Sequence, residues 1–217
     1  MINYLLSENE EYQNIEIPAS LSDKRRLLRS LMNVRPPVPI SKDFLKAQDE
    51  YLKERLLEKG ITKVEDLVPV QPGLYIWQGD ITTLRCDAIV NAANSQMLGC
   101  FVPCHGCIDN AIHTFAGVQL RQACSQIMAQ QGRDEETGSA KITPAFNLPC
   151  RYVLHTVGPI VHGRLTERDE QLLASCYRSC LTLADQNGVQ SIAFCCISTG
   201  EFRFPNEKAA QIAVETV

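Results

Sequence analysis

An α/β fold, with helices on both faces of a sheet, is the class this sequence predicts, and three observations predict it. From residue 73 onward, apolar strand-like runs alternate with helical ones. Polar or glycine-rich runs follow the strands, as at "GDIT", "NAANSQMLG" and "STGEFRFP". The first third carries amphipathic helices instead, so it reads as an extension of a different character.

The extension comes first. In "SLSDKRRLLRSLMNVRPP", Ser20 stands three residues before Asp23, and Leu27, Leu28, Leu31 and Met32 fall on one helical stripe that ends at Pro36 and Pro37. A second helix starts near Ser41, places Leu45, Leu52 and Leu56 on one face and stops at Gly60. Two such helices bury too little surface to stand alone. Residues 1–68 are therefore expected to dock on a main domain spanning 69–217. In that domain "GLYIWQGD" and "DAIVNAA" read as strands, 108–130 as a helix, "RYVLHTV" as a strand, 169–187 as a helix and "SIAFCCI" as a strand, with a last helix after Pro205.

A formal net charge of -4 offers no basic field for nucleic acid, which favours a small-molecule or protein partner. The N-terminus has no basic start followed by an apolar run, and about 18 apolar residues never occur in a row, so neither export nor membrane insertion is signalled. The expectation is a cytoplasmic monomer whose ten cysteines stay reduced. Cys86, Cys124, Cys176, Cys180, Cys195 and Cys196 sit in apolar segments and read as core.

Three runs carry possible chemistry. "STG", between a strand and a helix, is either a tight turn or a place where backbone N–H groups meet an anion. In "VNAAN", Asn91 and Asn94 either form a turn or present amides to sugar hydroxyls, since a buried amide without partners costs about 1–3 kcal/mol. "GCFVPCHGCIDNAIH" packs Cys100, Cys104, His105 and Cys107 into eight residues ahead of Asp109. Such a cluster is a metal site, a thiol nucleophile or packed core thiols. Adjacent Cys104 and His105 would diverge on an extended loop, whereas Cys100, His105 and Cys107 can converge if Pro103 bends the chain, giving the three protein ligands of a catalytic zinc site. His113 and His155 read as structural.

"QGDIT", "DAIVNAANS", "IDNAIHTFAG", "TGSAKITPAFNLPCRYVLHTVGP" and "CISTGEFRFP" together resemble the macrodomains, ADP-ribose-binding modules, over residues 73–217. In particular they resemble the zinc-containing macrodomains found beside sirtuin-type ADP-ribosyltransferases. The resemblance implies a three-layer α/β/α fold with a mixed central sheet, whose C-terminal strand and helix are expected to be missing from this chain. It matches "VDGAIH" of hydrolytic members with "IDNAIH", placing the catalytic acid at Asp109, and its CxxxxHxC pattern agrees with Cys100, His105 and Cys107 as Zn²⁺ ligands. By the same resemblance Asp80 and Ile81 would meet the adenine, and Ser198, Thr199, Gly200 and Glu201 the diphosphate. Phe202 would pack on the distal ribose and Asn94 would hold its hydroxyls, with Asn91 beside it. Many members carry glycine where Arg203 stands. The implied activity is removal of ADP-ribose from a modified protein, with a lipoyl-carrier protein as implied partner. The alternatives are an ADP-ribose-binding module with structural zinc and a hydrolase of small ADP-ribose derivatives.

Overall fold

A computed structural model describes all 217 residues, Met1–Val217. Helix α1 (Ile2–Ser7), which the sequence reading passed over, precedes α2 (Leu21–Val34) and α3 (Lys42–Lys59). The caps are the expected ones. Ser20 accepts from Asp23 N–H, Ser41 accepts from Phe44 N–H, and Gly60 leaves α3 at φ +83°. Leu5, Leu6, Leu28, Leu31, Met32 and Phe44 close a small core of their own. The extension is also tied to the main domain by backbone: β1 (Thr62–Lys63) pairs with β4 (Leu84–Arg85) in parallel, across the hairpin of β2 (Pro69–Gln71) and β3 (Leu74–Tyr75). "GLYIWQGD" is thus a strand only over Leu74–Tyr75. The Trp77 ring then lies on the Gly79 backbone, where a Cβ would meet it at 2.1 Å, so the run folds over itself before residue 80.

The central sheet runs β6 (Ala140–Pro144), β7 (Tyr152–Val157), β5 (Ala88–Ala93), β8 (Ile192–Ala193), with β6 antiparallel and the other pairings parallel. Period-two alternation divides its residues between two helical layers. Ala88, Val90 and Leu154 pack with Leu173, Cys176, Tyr177 and Cys180 of α6 (Glu167–Gln186) and with Ala209 and Ile212 of α7 (Asn206–Thr216). Ile89 and Val153 pack the opposite way, against Ile112 and Ala116 of α4 (Ile108–Ala116) and Leu120 and Cys124 of α5 (Val118–Gln131). The architecture is α/β/α with a mixed sheet. Where one helix was expected over 108–130 there are two, because Gly117 breaks them at φ +97°.

Two further expectations are corrected. A C-terminal strand and helix were expected to be missing, but β8 pairs with Ala88 and Ile89 and α7 packs on α6. Cys196 was assigned to the core and is exposed, because the chain leaves the sheet after Ala193. All ten cysteines are unpaired, and no helix is long and apolar enough to cross a membrane.

Candidate functional site

The same alternation that builds the core aims Asn91 at α4. On β5 it shares the face of Ile89, and its parallel neighbour on β7 is His155. Its side-chain Nδ2 donates to Asp109 Oδ1 (2.8 Å) and reaches His155 Nδ1 (3.1 Å). Since Nδ2 is a donor, His155 Nδ1 is the acceptor and the ring is neutral, leaving Nε2–H to donate to Thr143 Oγ1 at 3.0 Å. Burial pushes the His155 pKa down to about 3 and holds that of His113 well below its ordinary value. Asn91, expected beside the sugar, is 0% exposed; its Nδ2 bonds to Asp109 and His155 and its buried Oδ1 meets no partner, which places it beneath the acid. Burial raises Asp109 to about 6, against the hydrogen bond from Asn91 and the charge of Arg121, which lower it. His113 Nε2 lies 3.6 Å from Asp109 Oδ1, one helical turn along α4.

Cys107 is the N-cap of α4, its sulfur accepting from Asn110 N–H at 3.4 Å. Asp109 follows in the first turn, so the cluster and the acid are delivered by one helix start. The donor atoms of Cys100, His105 and Cys107 lie within 4.8 Å of one another. Cys104 points elsewhere. It takes a left-handed φ of +53°, and its sulfur meets Ser30 Oγ (3.3 Å) and the Arg26 carbonyl (3.5 Å) on α2. His105 Nδ1 is buried without a partner, a cost that a bound cation would remove. Two thiols and an imidazole at this spacing suit Zn²⁺, whose bonds to such donors are about 2.0–2.3 Å. Burial pushes the Cys107 thiol up to about 11, which counts against Cys107 as a metal-free nucleophile. A second group, His113, Cys124 and His155, is fully buried, and both nitrogens of His155 already face partners.

The other predicted residues line loops around this point. His105 Nε2 lies 3.6 Å from Glu201 Oε1, which brings the 198–205 loop against the cysteine-histidine loop. In that loop Thr199 N–H donates to Cys196 O at 3.4 Å, while the N–H groups of Ser198, Gly200, Glu201 and Phe202 meet no protein acceptor. Ser198 takes φ +64° over Gly158, where a Cβ would meet its Oγ at 2.0 Å. Arg203, at φ +59°, stands in a conformation that glycine adopts most easily. Asn94 Nδ2 donates to Gly99 O (3.2 Å), and its buried Oδ1 has no partner. Phe202 is half-buried. Asp80 caps a short turn, its Oδ1 accepting from Thr82 N–H (3.0 Å), and Ile81 is buried against α4. A surface cleft of about 430 Å³ lies among Arg133, Glu135, Lys141 and Arg178 and contains none of these groups.

Residues 90–213 match the family model described as the Macro domain, more than half the chain. The chain belongs to the macrodomain family. It is 63% identical to a protein-ADP-ribose hydrolase of Treponema medium, over the whole of this chain and 85% of that one. It is 49% identical to a protein-ADP-ribose hydrolase of Staphylococcus aureus (strain MSSA476), over the whole of this chain and 82% of that one. Among solved structures, the Trypanosoma brucei macrodomain in complex with ADP-ribose aligns with a TM-score of 0.64 at 32% identity, covering 92% of this chain and 83% of that one.

Several groups bonded to the candidate site residues of this macrodomain escaped the sequence reading. Lys59, the last residue of α3, donates to Asp80 Oδ2 at 2.6 Å and lies 3.3 Å from the centroid of the Phe115 ring. Arg29 and Asn33, one turn apart on α2, bond to the cysteine-histidine loop. Asn110 is wholly buried beneath that loop. One local signal was available: an asparagine stands at 110 where the "VDGAIH" pattern has glycine.

Proposed function

We propose that this macrodomain hydrolyses the bond between ADP-ribose and a modified protein, at a site where Cys100, His105 and Cys107 hold Zn²⁺ beside Asp109. The observation that carries the reading is the meeting of three zinc-type donors within 4.8 Å at the start of the helix that bears the acid. The names of its relatives agree with the hydrolase part of it. Bound there, zinc would supply Lewis acidity and lower the pKa of coordinated water towards ~7.

The chain's own residues do the rest. Departure of a group from the anomeric carbon builds positive charge on the sugar, which a nearby carboxylate stabilises, or that carboxylate takes a proton from the attacking oxygen. Asp109 fills this role, oriented by Asn91 Nδ2. Asn94 holds the distal ribose with its unpartnered Oδ1, and Phe202 packs on that sugar. The unbonded N–H groups of Ser198, Gly200 and Glu201 receive the diphosphate, with Thr199 in the same turn. Asp80 accepts from the adenine amino group, and Ile81 N–H, which meets no protein acceptor, lies beside it. The setting is the cytoplasm, and the modified partner is a lipoyl-carrier protein, as the resemblance implies.

The test is zinc content and ADP-ribose release measured on the same preparations. Wild type is expected to carry about one zinc per chain and turn over. Cys107→Ala or His105→Ala should lose metal and activity together, and Asp109→Ala should keep its metal while activity falls by roughly 10²–10⁴-fold. Full activity in a zinc-free Cys107→Ala protein would sink the metal reading; tight ADP-ribose binding without product release from any substrate would leave a binding module.

A further inference from the structure

We propose that Asn110 and Arg29 are positioning residues that fasten the cysteine-histidine loop in the shape its metal requires. This rests on the reading of Cys100, His105 and Cys107 as zinc ligands. The loop between Gly99 and α4 has no regular secondary structure, and a loop of that kind does not by itself hold three donors together. Asn110 touches it at three points. Its Nδ2 donates to the Val102 carbonyl (3.0 Å) and to the Cys100 carbonyl (3.4 Å), and its backbone N–H donates to the Cys107 sulfur (3.4 Å). Its remaining side-chain atom, Oδ1, accepts from Arg29 Nη2 at 2.7 Å, and the same Nη2 donates to the His105 carbonyl at 3.0 Å.

The two side chains therefore hold the backbone of two ligand residues, Cys100 and His105, and the Asn110 backbone N–H holds the sulfur of the third, Cys107. Only one amide orientation satisfies this set, because two carbonyls must meet the NH₂ and a guanidinium must meet the oxygen. Asn110 is 0% exposed, so each of these bonds is made away from water, where leaving one unmade is costly. Four residues along α2 from Arg29, Asn33 Oδ1 accepts from Cys104 N–H (2.9 Å) and its Nδ2 donates to Thr114 Oγ1 (2.9 Å), which fixes the helix against loop and α4 together. Glycine at 110 would supply none of the side-chain contacts. The helical extension is then part of the metal centre, entering it through α2.

The test measures zinc affinity of the full chain by competition with a chromophoric chelator. It adds the absorption spectrum of the Co²⁺-loaded protein and the melting temperature of the metal-free protein. The variants are Arg29→Ala, Asn110→Ala, the two together, and Arg25→Ala, which removes the same charge from α2 at a residue bonded to Glu58 and not to the loop. Removing support from behind metal ligands typically costs about 10–100-fold in affinity. Arg29→Ala and Asn110→Ala are each expected to weaken zinc within that range and to shift the Co²⁺ bands, the double variant is expected to lose less than the product of the two, and Arg25→Ala should match wild type. Arg29 is only half-buried, so it carries the test if Asn110→Ala does not fold. Wild-type zinc affinity and an unchanged Co²⁺ spectrum in Arg29→Ala would overturn the fastening role alone, even if its metal-free melting temperature fell. A wild-type chain that takes up no zinc would overturn the metal reading and this one with it.

Discussion

His155, Asn91, Asp109 and His113 form a buried polar cluster beneath the site, and its titration sets a pH dependence. The groups facing His155 are Asn91, Thr143, Cys124 and, with ring centroids 6.1 Å apart, His113. Its pKa is about 3 in the folded protein against an ordinary 6.5, so between these values the unfolded chain binds more protons. Stability from a neutral His155 is fully present above pH 6.5 and is lost as pH falls below it, at about 1.4 kcal/mol per pH unit. His113 acts in the same direction, while Asp109, raised to about 6, acts in the opposite one. A difference between two proteins isolates His155. From pH ~6.5 to ~5.0, urea unfolding should show wild type losing about 2 kcal/mol more than His155→Gln, whose amide can still accept from Asn91. Parallel pH profiles would mean that His155 is not held neutral.

At the scale of elements, the C-terminal end of α2 is tied down by one side chain. Arg121 on α5 donates through Nη1 to the carbonyls of Asn33 (2.8 Å), Arg35 (2.5 Å) and Met32 (3.3 Å), and through Nε to Leu98 (2.6 Å). The carbonyls of Met32 and Asn33 are ones that the end of α2 leaves without intrahelical partners, and a cation suits the negative end of the helix dipole. Burial lowers the Arg121 pKa to about 10, so it stays charged at neutral pH. Arg121→Met should lower the unfolding free energy by about 2–4 kcal/mol, since several buried carbonyls lose their donor at once, with urea denaturation as the measurement. Gly158, at the end of β7, serves the opposite loop by letting Ser198 lie on its backbone. Gly158→Ala should displace that turn and weaken ADP-ribose binding about tenfold or more by calorimetry, at a stability cost of about 1–3 kcal/mol.

For the whole molecule, the extension and the main domain behave as one body. They share the β1–β4 pairing, the Arg121 tie, the α2 contacts to the cysteine-histidine loop, and Gln48, whose Oε1 accepts from Val118 N–H at 2.9 Å. Deleting residues 1–68 would remove these partners together and expose Val118 and the loop. The shortened protein is expected to be aggregation-prone and to purify without metal, as size-exclusion chromatography with zinc analysis would show. A soluble, zinc-loaded fragment would contradict this.

Local information determined much of this protein. Ser20, Ser41 and Gly60 marked helix ends because capping is satisfied within a few residues. Continuous, largely apolar runs marked β5 and β7 because each is packed on both faces. The spacing of Cys100, His105 and Cys107 ahead of Asp109 was visible because all four lie on one short segment. Contacts between distant segments were not visible in this way. The division of Asn91 from Asn94, one bonded to Asp109 and the other to the Gly99 carbonyl, follows from the sheet register that sets Asn91 beside His155. The diversion of Cys104 to Ser30, the hold of Lys59 on Asp80 and the grip of Arg29 on Asn110 join residues separated by 74, 21 and 81 positions. Only the packing of the extension on the sheet decided them, because a polar side chain's partner is fixed by which buried donor or acceptor the folded chain brings within about 3 Å of it.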